Sequence, residues 1–176
     1  MKRIRKEGPA ARVGNSKPRM GEQVRFVIRR AKRSDLAAVV KMSSGVREIE
    51  NYPGQKMKAG DFAHFVSGYG ALMLVAVGTR SVRAKSEVAG YVTVYKSDNY
   101  FYLPYAVTKK EWRRHGVGGA LLNEVERLAK EEKVEYILMS VYVYNSSVHN
   151  FLRERGYVPS KRLVQYSKTI TTKGKK

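Results

Sequence analysis

The stretch Arg113-Arg114-His115-Gly116-Val117-Gly118-Gly119 lies between a run of β-forming residues and an amphipathic helix pattern. Glycines at the start of a helix let an anion approach the backbone N–H groups, and the aligned peptide dipoles place about half a positive charge there. The stretch therefore predicts a cradle for a pyrophosphate group. The alternative is a glycine-rich turn that only packs tightly against its neighbours.

Two other phosphate-binding motifs do not fit these residues. A P-loop needs Gly-Lys followed by Ser or Thr, and this sequence is missing. A dinucleotide-binding motif needs a third glycine or alanine at the position where Leu121 stands. The stretch therefore belongs to neither of these two classes.

The residues that follow the glycines have the period of an amphipathic helix. Its apolar face consists of Val117, Leu121, Leu122, Val125, Leu128 and Ala129. A β-rich run over residues 135–144 comes next, and a strand, helix and strand in this order predict two parallel neighbouring strands. Asn145-Ser146-Ser147 predicts the start of a short helix that ends at Gly156, and residues 158–170 predict a further strand.

The chain before the glycines predicts one more strand, two helices and an antiparallel meander. The strand covers residues 24–30, the first helix begins at Ser34 and is broken by Tyr52-Pro53-Gly54, and the second covers residues 61–69. The meander is predicted over residues 71–77, 88–95 and 100–108. We therefore expect a single α/β (α+β) domain over residues 23–170, with a mixed, mostly antiparallel sheet of six to seven strands and about four helices.

Composition excludes several classes of protein. The 176 residues include no cysteine, which excludes a disulfide framework, a thiolate nucleophile and cysteine metal sites. The three histidines are not spaced as a metal-binding pair, so we expect no metal. The longest apolar run is far shorter than the roughly 20 residues that span a bilayer, and no secretory signal is visible. We expect a cytoplasmic protein without a membrane segment.

The net charge is +20, and part of it lies at the two ends. Residues 1–22 carry a net +5, and residues 171–176 add three lysines. We expect a basic, unstructured arm over 1–22 and a basic tail over 171–176. Such a field attracts anions, among them nucleic acid, acidic membranes and phosphorylated cofactors. A solvated basic surface is the simpler alternative.

The order of elements and the glycine motif together resemble the GNAT superfamily of acyl-CoA-dependent N-acyltransferases. Arg113, Gly116 and Gly118 match the family's Arg/Gln-x-x-Gly-x-Gly/Ala signature, and Arg114 resembles the double-arginine version common among protein N-terminal acetyltransferases. A second family segment, Asn-x-x-Ala followed by Leu-Tyr-x-x-x-Gly-Phe, is met with the same spacing and altered chemistry. Its positions are Asn145, Val148, Phe151, Leu152, Gly156 and Tyr157.

The resemblance implies the GNAT fold and acetyl-CoA as co-substrate. In this family the strands on either side of the main helix splay apart, and the pantetheine arm lies between them. Pro104 suits the bulged strand that such a splay needs. The cofactor-binding residues that the resemblance implies are Ala106, Val107, Thr108, Arg113, Arg114, His115, Gly116, Val117, Gly118, Gly119 and Asn145.

The implied reaction is direct attack of a primary amine on the thioester. The acceptor is left open between a protein N-terminus, a lysine and a small amine. The chain departs from the family at two proton-transfer positions, where it has Leu152 in place of a tyrosine and Ser140 in place of a Glu or His base. Weak candidate substitutes are Tyr105, Tyr142, Tyr144 and His149. The simpler interpretation is that the tyrosines pack along strands and that the histidine lies exposed on its helix.

Three alternatives stay open at this stage. Glu48 and Glu50 are either an attraction for a cationic amine or a solvated charge run. The protein is either an enzyme, a non-catalytic acyl-CoA sensor with the same fold, as Leu152 and Ser140 would allow, or a nucleic-acid-associated protein led by its basic arm. The last is weakened because no helix-turn-helix, RNA-recognition or zinc pattern is present. A homodimer is also left open.

Overall fold

The computed structural model describes residues 12–14, 24–49, 55–79, 84–160, 166 and 168. The strands are β1 (Arg12–Gly14), β2 (Arg25–Arg30), β3 (Ala71–Thr79), β4 (Glu87–Lys96), β5 (Tyr100–Leu103), β6 (Ala106–Thr108) and β7 (Tyr136–Met139). The helices are α1 (Leu36–Ser43), α2 (Ala59–Ser67), α3 (Val117–Glu131) and α4 (Ser146–Arg153). Two 3₁₀ turns cover Arg33–Asp35 and Lys110–Trp112.

The strands form one sheet in the order β1-β2-β3-β4-β5-β7, and β6 also pairs with β4. Every pairing is antiparallel except that of β5 with β7, where Tyr100 lies opposite Tyr136 and Leu103 opposite Met139. The predicted parallel crossover around α3 is therefore confirmed. The mixed, mostly antiparallel sheet is confirmed as well.

The sheet separates two hydrophobic cores. On one face, α3 packs its apolar side against β2, β3 and β4, and the six residues predicted for that side are the ones that are buried. On the other face, α1 and α2 cover β3 and β4. Fully buried residues of this second core include Val39, Phe62, Phe65, Val75 and Tyr91. The sheet is therefore the middle of three layers, and the two helix pairs lie on opposite sides of it.

The strand predicted over residues 100–108 is broken into β5 and β6. Pro104 has no N–H group to give to a ladder. The chain is held at the break by Thr93, whose N–H donates to the Tyr105 carbonyl at 2.8 Å and whose Oγ1 accepts from the Tyr105 N–H at 3.1 Å. The bulge expected at Pro104 is present, because the register against β4 shifts by one residue between Tyr95 opposite Tyr102 and Tyr91 opposite Val107. The pairing with β7 ends just before it, at Leu103.

Other elements are shorter than predicted. The strand predicted over 135–144 ends at Met139, and among the described residues β6 pairs with β4 and not with residues 140–144. The first helix ends at Ser43, just before Gly45 with its positive φ of 76°. Residues 157–160 are not in a strand, and most of the strand predicted over 158–170 lies outside the described residues.

The structure differs from the predicted basic arm at three residues. The backbone of Arg12–Gly14 pairs with β2, and Val13 lies opposite Val27. These three residues therefore extend the sheet, where an unstructured segment was expected. The rest of residues 1–22 and the tail over 171–176 lie outside the described residues, so both end segments stay predictions.

One ion pair joins β2 to the start of α1. The Arg29 guanidinium donates to both carboxylate oxygens of Asp35, at 2.7 and 2.9 Å, and the Lys32 N–H donates to the same carboxylate at 2.7 Å. Asp35 is buried. Burial acts to raise the pKa of Asp35, but these hydrogen bonds favour the charged form and hold the pKa below its ordinary value.

We expect Asp35→Asn to lower the free energy of unfolding by about 2 kcal/mol at neutral pH, because it leaves Arg29 without its charged partner. Since the folded-state pKa is lowered, this contribution is present above the unfolded-state value of about 4 and is lost as the pH falls through the folded-state value. Urea unfolding between pH 7 and pH 3 measures it.

Asp61→Asn is the matched control. Asp61 accepts a similar bond from the Lys58 N–H at 2.7 Å, but it is exposed. We expect a loss below about 1 kcal/mol for this variant. A difference between wild type and Asp35→Asn that stays constant down to pH 3 would contradict the assignment.

Candidate functional site

The glycine stretch forms the entry of α3, as its pattern predicts. Gly116 precedes the helix with a φ of 80° and Arg114 also has a positive φ, of 66°. The first bond of the helix runs from the Ala120 N–H to the Gly116 carbonyl, at 2.9 Å. The N–H groups of residues 117–119 therefore precede the intrahelical ladder and point out of the helix end, where they can bind an anion.

Gly118 is not required by the packing of the protein. A Cβ placed on it would lie 3.6 Å from Thr108 Oγ1 and 3.9 Å from Phe151 Cζ, which are ordinary contacts. Gly90 behind it is different, because its Cβ would lie 2.9 Å from both the Val107 carbonyl oxygen and Val117 Cγ1. Tight packing therefore accounts for Gly90 and does not account for Gly118.

Three elements meet at this first turn of α3. Thr108 at the end of β6 and Phe151 on α4 both lie within contact range of the Gly118 position. Arg113 lies exposed above β6, with its Nε 3.4 Å from the Thr108 carbonyl oxygen. Arg114 is exposed and His115 is half-buried. The predicted cradle and the predicted contacts on β6 are thus close together in space.

A buried tryptophan fixes the chain just before the cradle. Trp112 is fully buried, and its indole N–H donates to Glu87 Oε1 at 2.8 Å. The Lys109 ammonium pairs with the same carboxylate. Sequence reasoning missed both Trp112 and Glu87, although the position of the chain's single tryptophan beside the glycines was an available signal.

A gap opens in the sheet beyond the cradle. β5 and β7 are paired as far as Leu103 and Met139, and β6 then follows β4, with Val107 opposite Tyr91. The other edge of β6 faces the gap. Ala106 is exposed, Thr108 is half-buried, and Val107 faces the core.

Asn145 marks the far side of this gap. It caps α4, and its Oδ1 accepts from the Val148 N–H at 3.4 Å and from the Ser147 hydroxyl at 3.2 Å. Its own N–H donates to the Tyr142 carbonyl at 2.9 Å. The half-buried Asn145 is therefore held rigidly at the start of the helix that carries Phe151.

The four weak catalytic candidates lie in different surroundings. Tyr105 is half-buried at the strand break, with its ring edge-on to Phe62 at 5.8 Å. Tyr142 and Tyr144 are exposed and stack on each other at 5.3 Å, in the segment that follows β7. They do not pack along a strand, because the strand ends earlier. His149 is half-buried, with Nε2 3.1 Å from the Tyr142 carbonyl oxygen.

The two departures from the family pattern have distinct environments. Leu152 is buried in the core against α3, so no proton donor stands at that position. Ser140 is exposed directly after β7, and its Oγ lies 3.4 Å from the Tyr102 hydroxyl. This pair joins the two strands at the point where they separate. Tyr102 was not among the residues that the sequence singled out.

An open cavity of about 530 Å³ lies along β5, between the β4–β5 turn and Leu138 of β7. Its lining residues are Tyr95, Lys96, Ser97, Tyr100, Tyr102 and Leu138. Tyr95 also accepts or donates a hydrogen bond with His64 Nε2 at 2.8 Å. The wall is thus mainly aromatic, and Lys96 pairs with Glu132 at its rim.

Glu48 of the acidic pair is exposed, and Glu50 lies outside the described residues. Within the described ranges, no set of three acidic, histidine or cysteine side chains is placed to hold a metal ion. No helix among them is long and apolar enough to cross a membrane.

Comparison with known proteins places these features in one family. Residues 49–157 match the model of the acetyltransferase (GNAT) family. No curated protein sequence matches the chain.

Similar solved structures have the same fold at low sequence identity. AAC(6')-Iy in complex with the bisubstrate analogue CoA-S-monomethyl-acetylneamine has a TM-score of 0.65 at 15% identity, and covers 82% of this chain and 99% of its own. NAA60 from Arabidopsis thaliana with a bisubstrate analogue has a TM-score of 0.66 at 18% identity, covering 78% and 86%. An aminoglycoside acetyltransferase from an uncultured soil sample, in complex with sisomicin, has a TM-score of 0.64 at 15% identity, covering 83% and 97%.

The two glycines behind and within the first turn of α3 provide a test. We expect Gly90→Ala to lower the free energy of unfolding by about 2 kcal/mol, because its Cβ would press on the backbone of β6. We expect Gly118→Ala to leave stability unchanged or raise it by up to about 1 kcal/mol, since alanine favours a helix. Urea unfolding of both variants measures this. A loss of more than 1 kcal/mol in Gly118→Ala would show that packing does require this glycine.

Proposed function

Since the chain belongs to the GNAT acetyltransferase family, we propose that it is an acetyl-CoA-dependent N-acetyltransferase whose acceptor is a primary amine. The observation that carries the proposal is the open first turn of α3, where Gly118 is free of packing demands and where β6 and α4 converge. A protein N-terminus, a lysine side chain and a small amine are the three classes of acceptor.

The cradle fits the pyrophosphate of the cofactor. Its donors are the N–H groups of residues 114–119, of which those of 117–119 lie outside the intrahelical ladder. Arg113 and Arg114 add positive charge at the same end of the helix, and the helix dipole has the matching sign. A bulky side chain at position 118 would occupy the space that the phosphate oxygens need.

The gap fits the pantetheine arm. The edge of β6 that faces away from β4 supplies main-chain donors and acceptors along Ala106–Thr108. Asn145 lies on the other side, after the end of β7. A thioester held in this gap would be reached by an acceptor from the face of α1 and α2, because α3 and α4 cover the opposite face, whereas α1 and α2 pack mainly on β3 and β4.

The reaction needs no covalent intermediate on the protein. The neutral amine attacks the thioester carbonyl, the carbon–sulfur bond breaks, the amine loses one proton and the thiolate gains one. Orientation of the amine and polarisation of the carbonyl by main-chain N–H groups provide most of the rate enhancement.

Proton transfer is the part of the mechanism in which this chain differs from its family. Leu152 cannot donate a proton, and Ser140 is a poor base. We assign the transfer to water or to a tyrosine at the gap, where Tyr102, bonded to Ser140, and the half-buried Tyr105 are the nearest candidates in the sheet. Tyr142, Tyr144 and His149 lie on the far side, beyond the end of β7.

The aromatic cavity is a suitable acceptor site. Tyr102 and Leu138 of its wall are the residues just before the point where the strands separate. The tyrosine rings and the leucine offer apolar surface, and the tyrosine hydroxyls bind polar groups at the rim. An acceptor amine that carries an apolar or aromatic portion fits this wall.

The non-catalytic sensor is the second candidate function, and Leu152 and Ser140 are the observations that favour it. A sensor would bind acetyl-CoA tightly without turnover. Weak nucleic-acid contact through the basic arm stays a prediction, because the arm lies mostly outside the described residues. A homodimer also stays a prediction. A cytoplasmic location likewise stays an expectation.

We expect wild-type protein to bind acetyl-CoA in calorimetry and Gly118→Trp to lose this binding while it stays folded. The indole would fill the first turn of α3, where the phosphate oxygens need room. Gly60→Trp is the control, because nothing lies within 4 Å of a Cβ at that position and it is on the distant helix α2. Undiminished affinity in folded Gly118→Trp would place the cradle elsewhere.

If the missing acid limits the rate, Leu152→Tyr should raise turnover. General acid catalysis is typically worth about 10²- to 10⁴-fold, although the hydroxyl must first reach the thiolate. Leu152→Phe is the matched control, since both variants place a six-membered ring at the buried position and only the tyrosine can donate a proton. Equal rates in the two variants would mean that a hydroxyl at this position does not protonate the thiolate.

We expect the activity of the wild type to rise with pH as more of the acceptor amine becomes neutral. Steady-state rates against aromatic amines, short peptides and aminoglycosides between pH 6 and pH 9 measure both this trend and the acceptor class. Tight binding of acetyl-CoA without turnover on any acceptor, at any of these pH values, would favour the sensor.

A further inference from the structure

Arg155, which follows α4, lies against the first two turns of α3. Its Nη1 is 3.2 Å from the position that a Cβ on Gly119 would occupy. Its Nη2 donates to the side chain of Asn123 and lies 3.8 Å from Glu126 Oε1. The guanidinium carbon is 5.6 Å from the centre of the Phe151 ring. The charged group therefore lies along the flank of the predicted cradle, beside its last glycine.

This placement costs stability. Arg155 Nε is buried, and among the described residues it is the side-chain nitrogen or oxygen that is both buried and without a hydrogen-bond partner. An unpaired buried donor is unfavourable. An aliphatic side chain would cover the Phe151 ring without that cost, so packing alone does not explain an arginine here.

Glu126 forms a long ion pair with Arg155. Glu126 accepts a hydrogen bond from the Tyr157 hydroxyl at 3.0 Å, which is shorter than its 3.8 Å approach to Arg155. The carboxylate and the guanidinium are therefore near each other without a direct hydrogen bond. Asn123 is neutral and binds only one edge of the guanidinium.

We propose that Arg155 binds a phosphate group of acyl-CoA alongside the backbone cradle, an inference that rests on the proposed function. The guanidinium carries a positive charge and, at Nη1 beside Gly119, two N–H donors that suit the oxygens of a phosphate. Gly119 leaves room for it, since any side chain there would press on Nη1. Backbone N–H groups at the helix end and a side-chain cation at its flank then hold neighbouring anionic groups of one ligand.

Two phosphate groups of the ligand have this chemistry, the pyrophosphate and the 3′-phosphate. Calorimetry with CoA and with 3′-dephospho-CoA separates them. Arg155→Met keeps the unbranched stem over Phe151 and removes the charge. Arg153→Met is the matched control, because Arg153 is an exposed arginine at the end of α4, two residues before Arg155. Its Nη1 lies 3.4 Å from Asn150 Oδ1.

We expect Arg155→Met to bind CoA about tenfold more weakly and Arg153→Met to stay within twofold of wild type. A loss for CoA alone assigns the 3′-phosphate, and an equal loss for both ligands assigns the pyrophosphate. Arg155→Lys, which keeps the charge without the paired donors, should lie between wild type and Arg155→Met. Urea unfolding checks that each variant is folded.

Wild-type affinity of folded Arg155→Met for both ligands would overturn the assignment and leave the proposed function intact. Absence of CoA binding in the wild type would overturn the proposed function and the assignment together. If Arg155→Met does not fold, Arg155→Gln is the second test, because it keeps a polar side chain at this position without the charge; wild-type CoA affinity in that folded variant would overturn the assignment.

Discussion

The structure depends on one break in a hydrogen-bond ladder. Pro104 cannot donate to the sheet, and Thr93 takes over at the break through its backbone and its hydroxyl, both bonded to Tyr105. Thr93 is fully buried, so this exchange is protected from water. The chain pairs with both β4 and β7 as β5, whereas among the described strands it pairs with β4 alone as β6, so the sheet opens between the end of β7 and β6.

The opening connects two sides of the sheet that have different chemistry. On one side are the entry of α3, the cap of α4 and the charges of Arg113, Arg114 and Arg155. On the other side is the aromatic cavity lined by β4, β5 and Leu138 of β7. A phosphorylated ligand suits the first side, and the apolar part of an acceptor suits the second. The proposed transfer takes place in the gap between them.

Residues around the cradle differ in how tightly they are packed. Gly90 is needed where β4, β6 and α3 press together, and Trp112 is anchored to Glu87 just before the glycines. Gly118, only a few residues further on, has room for a side chain. Packing and hydrogen bonds thus hold the backbone around the cradle, and a preorganised site reduces the entropy that binding must overcome. The position of Leu152, where the family has a proton donor, offers no open space of this kind, because the leucine is part of the core.

The sequence alone determined the elements with a strong local pattern. The apolar face of α3, the glycine entry before it and the parallel crossover around it follow from helix period, backbone chemistry and chain connectivity, and the structure has all three. Only the tertiary structure decided where β7 ends, that Tyr102 meets Ser140, and that Arg155 lies beside Gly119. These features join residues more than 30 positions apart, or depend on whether a neighbouring strand is present. Neither condition is visible in local sequence, since propensity describes a segment and its pattern, whereas pairing and burial depend on what the rest of the chain places beside it.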